Sequence, residues 1–347
     1  MMRNITITSE LLQYIAELDE FKGLWVSLKR LSPDKLHALR SVATIESIAS
    51  STRIEGVVLS DREVEHLLSH IKIDTFKTRD EEEVVGYAQT LETVFENYQD
   101  IPLSENYIKK LHSMLLHYSK KDQRHKGDYK KFPNNVEAFD AQGKSIGIVF
   151  ETSTPFDTPQ DMEKLVVETN DIWKHKQLHP LIMIGIFIVR FLAIHPFQDG
   201  NGRLSRILTT LLLLKSGYYY VLYASLENII EHNKEQYYLS LRKTQKTLKS
   251  KKPNWLPWLT FFLKSLVKQK DKLTQKIHEI KMMEKSLSSL SLQIVTLIEA
   301  HGRITISEIE ALSQIKRGTL KNKLNELIER KIIERHGKGP ATWYTLS

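Results

Sequence analysis

An apolar run from Leu181 to Ile194 ends at His195-Pro196, and a leucine-rich helical pattern resumes from Leu204 to Leu214. Proline cannot continue a helix, because it lacks the N–H and its ring clashes with the preceding turn. The run is interrupted by Arg190 and falls short of the roughly 18–20 apolar residues that a membrane span requires. It therefore reads as a buried core helix. The chain must fold two oily helices against each other across a short polar loop, Phe197-Gln198-Asp199-Gly200-Asn201-Gly202. The second helix then presents its unpaired N–H groups and the positive end of its dipole at that loop, where an anion is stabilised.

The loop carries chemistry at every polar position. His195 is placed at the helix end, and its ordinary pKa near 6.5 suits a general base for a hydroxyl. Gly200-Asn201-Gly202 allows backbone angles closed to other residues and close approach of a ligand. Arg203 and Arg206 are spaced i, i+3 in the first turn of the second helix and reach one pocket. Two cations at the positive end of a helix are unfavourable unless an anion lies between them, so the placement points to phosphate. Asp199 in such a pocket suits a divalent cation shared with phosphate oxygens. Together these residues describe nucleotide-dependent transfer to a hydroxyl.

The 347 residues suffice for two or three domains, and no cysteine is present, which excludes disulfides, thiolate metal sites and cysteine nucleophiles. The N-terminus shows no secretory pattern; with the lack of cysteine this gives a cytoplasmic expectation. Helical periodicity dominates. Ser60-Asp61 and Thr78, with Glu81 three residues on, open helices by capping. Another helix runs from about Ser104 along Tyr107, Ile108, Leu111 and Leu115. From Lys126 to Pro159 glycines and prolines punctuate β-prone pieces, predicting a loop with a hairpin turning near Ala141-Gln142-Gly143-Lys144. Leu226 to Leu248 reads as one helix, and a long basic helix follows from Thr260 to Leu287. Residues 241–285 hold 13 Lys+Arg against 3 Asp+Glu, so the net charge of +8 belongs to the C-terminal third. The last sixty residues, three helices and a hairpin turning at Gly337-Lys338-Gly339-Pro340, resemble a winged helix-turn-helix.

The stretch from His195 to Arg206 matches the motif HPFx(D/E)GNGRxxR at every defined position and so resembles the Fic family, over roughly residues 40–250. The resemblance implies a mainly α fold: a Fic-type helical bundle with a β-hairpin flap, followed here by the winged-helix domain. The expected organisation is an N-terminal helical region at 1–95 with an inhibitory helix at about 41–56, a catalytic core at 96–250, a basic linker helix at 251–285 and the winged helix at 286–347. It implies protein adenylyltransfer, in which AMP passes from ATP, with Mg²⁺, to a Ser, Thr or Tyr hydroxyl of a protein target or of the chain itself. His195 would be the base and Asp199 the Mg²⁺ ligand. Gly200, Asn201, Gly202 and Arg203 would hold phosphates, and Arg206 would contact the γ-phosphate. The related Doc-type kinases alter the glycine-rich part of this loop, whereas both glycines are kept here. Val136 on the flap, and Tyr238, Leu241 and Gln245 on one face of the following helix, resemble the adenine pocket.

Ser51-Thr52-Arg53-Ile54-Glu55-Gly56 matches the family's inhibitory pattern (S/T)xxxE(G/N). Ser51 and Glu55 are one helical turn apart. The resemblance implies that Glu55 pairs with Arg206 and takes the charge that would orient the γ-phosphate. A homodimer is compatible with the family. Two alternatives stay open: a DNA-binding regulator using Lys316, Arg317, Lys321 and Lys323 of the last domain, and a Fic-fold transferase using another nucleotide donor.

Overall fold

The computed structural model describes residues 5–28, 33–70, 76–134, 136–139, 145–313, 315–337, 339 and 342–346. They divide into two compact units, Met1–Lys272 and Leu273–Ser347. The first holds helices α1 (Ser9–Leu28), α2 (Pro33–Ile54), α3 (Asp61–Ser69), α4 (Arg79–Asn97) and α5 (Glu105–Leu115). A hairpin of β1 (Val136–Phe139) and β2 (Ser145–Phe150) follows. Then come α6 (Thr158–Lys174), α7 (Pro180–Ile194), α8 (Asn201–Lys215), α9 (Leu226–Glu231), α10 (Lys234–Gln245) and the start of α11 (Leu256–Ser286).

Helix α7 is the axis of this unit: Leu181 to Val189 are all buried, and the helix packs on α6, α8 and α10. Each fully buried Leu, Ile or Phe contributes about 1.5–3 kcal/mol relative to exposure. Gly185 lets α11 lie close, with Trp258 Nε1 donating to the Gly185 carbonyl at 2.7 Å. Helix α8 is buried from Arg203 through Leu214 and packs on α4 as well.

Helices open at the three residues read as caps, but the capping box expected at Thr78 is half made, since the Glu81 carboxylate accepts from Lys77 N rather than from Thr78 N. Ser60 and Glu63 form a complete capping box on α3, Thr78 accepts from Glu81 N, and Ser104 accepts from Tyr107 N. The predicted single helix from Leu226 to Leu248 is instead two. Asn233 leaves the helical region at φ −124°, ψ 32° and its side chain donates to the Ile229 carbonyl at 2.7 Å. Such local side-chain bonding competes with helix continuation. The flap strands pair antiparallel, from Val136↔Phe150 to Phe139↔Ser145. The predicted turn at 141–144 lies outside the described residues.

The second unit contains α12 (Ser289–His301), β3 (Ile304–Thr305), α13 (Ile306–Ser313), α14 (Arg317–Glu329), β4 (Ile333–His336) and β5 (Trp343–Leu346). Its antiparallel sheet has the order β3-β5-β4 and covers a core that includes Ile298, Ile309, Leu324 and Tyr344. Two of the predicted turn residues, Lys338 and Pro340, lie outside the described residues. Among the described residues no helix is long and apolar enough to cross a membrane.

Gly86 on α4 sits where a Cβ would collide with the Leu115 carbonyl oxygen at the end of α5. A backbone oxygen in a helix end cannot rotate away. Gly86→Ala is expected to destabilise the first unit by about 1–3 kcal/mol, measured as a lower midpoint in denaturant at unchanged slope.

Candidate active site

His195 closes α7 in a left-handed conformation, φ 54° and ψ 60°, with its N–H on the Phe191 carbonyl. That backbone geometry is unusual for a residue bearing a side chain and persists only where the surroundings impose it. The ring is half-buried rather than presented at an exposed helix end. Its Nδ1 faces the Leu192 carbonyl at 3.3 Å. A carbonyl can only accept, so Nδ1 carries the proton and Nε2 keeps its lone pair. Burial, with the Lys130 ammonium adding to it, lowers the His195 pKa to about 4. The imidazole is thus an unprotonated base at neutral pH.

The loop beyond His195 is held from inside. Asn201 is buried, and its amide clamps the Phe197 main chain: Oδ1 accepts from Phe197 N at 2.9 Å and Nδ2 donates to Phe197 O at 2.7 Å. Its side chain therefore turns into the loop. Gly200 adopts φ 77° at the entry to α8, a left-handed conformation that disfavours any side chain, and lies beside Leu115 and His112. His112 Nδ1 accepts from Gly127 N at 2.9 Å and its Nε2 meets the Asp199 carbonyl at 3.0 Å, which again defines one neutral tautomer. Its ring stacks on Phe197 at 3.8 Å between centroids.

Arg203 and Arg206 are both buried. Arg203 Nη1 donates to Glu83 Oε2 at 2.6 Å and Nη2 to Asp199 Oδ1 at 3.0 Å, while Arg79 bridges Glu83 and Asp199 from outside. Burial opposes ionisation of Asp199, but Arg203, the Gly200 N–H and Arg79 hold its carboxyl below the usual range. Among the described residues no cluster of three or more His, Asp or Glu could hold a metal. A magnesium ion would have Asp199 as its one protein carboxylate, which suffices where phosphate oxygens complete the shell.

Arg206 reaches the other way. Its Nε donates to Ser51 Oγ at 2.7 Å, and its Nη2 donates to Ser51 O at 2.9 Å and to Glu55 Oε1 at 2.7 Å. Its Nη1, and Nε of Arg203, are buried without a hydrogen-bond partner. The Glu55 carboxylate presses on the start of α8, where a Cβ on Gly202 would collide with it. Burial opposes its charge, yet Arg206, with Arg203 and His195 behind it, keeps the Glu55 carboxyl below the usual range. Gly56 ends α2 at φ 107°. The residues of α2 and of the loop, separated by 140 positions and more, thus meet at one helix N-terminus.

The adenine-pocket residues are less closely gathered. Gln245 is buried and lines a cavity of about 460 Å³ beside Ile194, Phe150, Arg190 and Trp255. Tyr238 is 42 % exposed and is not among the residues that line it. Val136 begins β1 opposite Phe150. Sequence reasoning missed Glu83, Arg79, His112, Lys130 and Asn134. His112 had a signal, since it lies one position beyond Leu111 on the buried stripe of α5. Arg79 and Glu83 are spaced i, i+4, but nothing local tied them to Arg203.

Comparison with known proteins gives a family likeness over part of the chain. Residues 102–213 match the Fic/DOC family. A stretch of 63 residues is 36% identical to Protein adenylyltransferase Fic of Nematostella vectensis, covering 17% of this chain and 15% of that protein. Another of 100 residues is 31% identical to Probable protein adenylyltransferase aq_aa38 of Aquifex aeolicus, covering 29% and 28%. The chain thus spans less than a third of the length of either relative. The crystal structure of a Fic family protein from Desulfovibrio desulfuricans G20 shares the fold at a TM-score of 0.63, with 23% identity over 99% of this chain and 97% of that one. Over residues 102–213 the chain is thus similar to the Fic/DOC family, and shorter stretches of it are similar to protein adenylyltransferases.

The depressed pKa of His195 has a consequence for stability. Between pH 6.5 and about 4 the unfolded chain binds a proton at this residue that the folded chain does not. The contribution of His195 to stability is therefore full above pH 6.5 and declines as pH falls towards 4. Thermal melts at pH 7.5 and 4.5 are expected to show a smaller loss of midpoint in His195→Ala than in wild type.

Proposed function

We propose that this protein is an adenylyltransferase that moves AMP from ATP to a hydroxyl of a protein target, and that Glu55 restrains it. The observation that carries the reading is the seat of the Glu55 carboxylate. It stands at the N-terminus of α8 against Gly202, paired with a buried arginine, which is where an anionic ligand would bind. The chain's own carboxylate thus acts as a stand-in for phosphate oxygens.

In the proposed reaction the target hydroxyl oxygen bonds to the α-phosphorus of ATP. The α–β P–O bond breaks, pyrophosphate departs, and the hydroxyl proton passes to Nε2 of His195. The main-chain amides of Asn201 and Gly202 and the partnerless Nε of Arg203 would supply donors for the phosphates, and Arg206, once free of Glu55, would meet the γ-phosphate. Asn201 supports the site by holding Phe197 rather than by touching phosphate in this state. Asp199 would hold magnesium, which when bound neutralises phosphate charge. Tyr238, Gln245 and Val136 remain the proposed adenine contacts, and the flap edge offers strand pairing to a target segment.

The second unit we read as a winged helix. For DNA its third helix offers little: Arg317 pairs with Glu310 at 3.1 Å, Lys323 with Glu326 at 2.7 Å, and Lys316 and Lys321 are the remaining exposed cations of that stretch.

Incubation with ATP and Mg²⁺ followed by intact-mass measurement tests the reading. Glu55→Gly is expected to raise incorporation of AMP, into itself or an added protein, on the order of tenfold or more. The double variant Glu55→Gly/His195→Ala is expected to lose on the order of a hundredfold. A mass gain from another nucleotide in a donor panel would replace ATP in the scheme. Equal activity of wild type and Glu55→Gly would refute the restraint.

A further inference from the structure

The stem of the flap is closed by side chains rather than by more strand. Two residues outside the terminal pair Val136↔Phe150, Thr152 Oγ1 donates to Asn134 Oδ1 at 3.1 Å. The ammonium of Lys130 is inserted between them, donating to Asn134 Oδ1 at 2.8 Å and to Thr152 Oγ1 at 2.9 Å. Its third hydrogen goes to the Ile194 carbonyl at 2.9 Å. All three donors of a lysine that is 3% exposed are therefore used.

Lys130 and Asn134 also collect the carbonyl of Ile194, the last residue of α7, and the three carbonyls that follow it. The last carbonyls of a helix have no partner within it. Here Lys130 Nζ takes Ile194 O, Asn134 Nδ2 takes His195 O at 3.2 Å and Phe197 O at 2.6 Å, and Lys130 N takes Pro196 O at 2.8 Å. Four successive carbonyls around the left-handed His195 are thus held by the flap stem, that of Phe197 being shared with Asn201.

We propose that Lys130 is a positioning residue, through which the seating of the flap fixes the backbone and the protonation state of His195. The inference rests on the transfer reading for its kinetic consequence, but its geometry does not. The charged groups acting on His195 are Lys130, which disfavours the imidazolium, and Glu55 and Asp199, which favour it. Lys130 keeps most of its charge at neutral pH, since burial brings its pKa down only to about 8. A flap displaced from its stem would withdraw the cation and release the strained His195 main chain together, so target alignment and base are coupled.

The experiment uses the full chain carrying Glu55→Gly, compared with the same chain also carrying Lys130→Met, Lys130→Arg or Thr152→Val. Histidine ring resonances are titrated by NMR, with His195 assigned by its loss in His195→Ala, and AMP transfer is timed at saturating ATP. Lys130→Met is expected to raise the His195 pKa by roughly half a pH unit or more and to lower kcat on the order of tenfold. Lys130→Arg should keep the pKa and recover most of the rate. Thr152→Val, which removes one hydroxyl and no charge, should lower kcat a few-fold at unchanged ATP affinity. An unmoved His195 pKa in folded Lys130→Met overturns the proposal. So does an unchanged kcat in Thr152→Val, which decides the matter if Lys130→Met fails to fold. A parent chain that transfers no AMP would defeat the transfer reading, and the titration would still decide the role of Lys130.

Discussion

A guanidinium buried to 3% exposure needs a counter-charge, and Arg206 finds one in Glu55, just past the end of α2. Taking such a charge out of water costs several kcal/mol unless good geometry offsets it. Ser51 and Glu55 meet that need together, one accepting through hydroxyl and carbonyl and the other through carboxylate. The seat of α2 follows from this pairing and from a second one close by. Arg53 grips Glu231 in a two-pronged ion pair, at 2.6 and 3.0 Å, and Asp61 at 2.8 Å. The end of α2 is therefore fastened to α9, α3 and α8 by charge, where Ser47, Ser50, Ser51 and Thr52 are buried alongside Ile48 and Ile54.

Charge pairing of this kind leaves room for exchange. Prising apart packed apolar side chains exposes their surface to water, whereas replacing a carboxylate by another anion leaves the arginine satisfied. In the proposed function this is what makes the brake reversible: phosphate oxygens and the Glu55 carboxylate compete for one cation, and either can serve as its counter-charge. On the far side of the loop, Arg203 is already neutralised by Glu83 and Asp199, so the two arginines of one helical turn have separate electrostatic assignments.

The loop was legible because its residues are contiguous and each is unusual for its place. Two arginines at the positive end of a helix, and glycines flanking an amide, are conflicts that a sequence shows directly. The α5 cap at Ser104 and the capping box at Ser60 were legible for the same reason, since both partners lie within one turn. Arg79, Glu83 and Lys130 were not, because the partners that tie them to the loop and to the far side of the flap stem lie from 22 to 120 positions away, and no local pattern encodes a distance in space. The break at Asn233 was missed because its cause is one side-chain bond against a favourable periodicity.

From its sequence alone, this chain determines a buried α7, a polar loop, and an α8 that begins at that loop, because helix ends and apolar periodicity are properties of neighbours along the chain. It also determines which residues in that loop can act as base, cation and carboxylate. Only the tertiary structure decided what those residues touch: that Asn201 turns inward, that Asp199 is shared between two arginines, and that Arg206 is held by Glu55. It also set the state of His195, whose base form depends on burial and on an ammonium from the flap stem. Desolvation and long-range charge pairing are set by packing, and packing brings together residues that the chain keeps far apart.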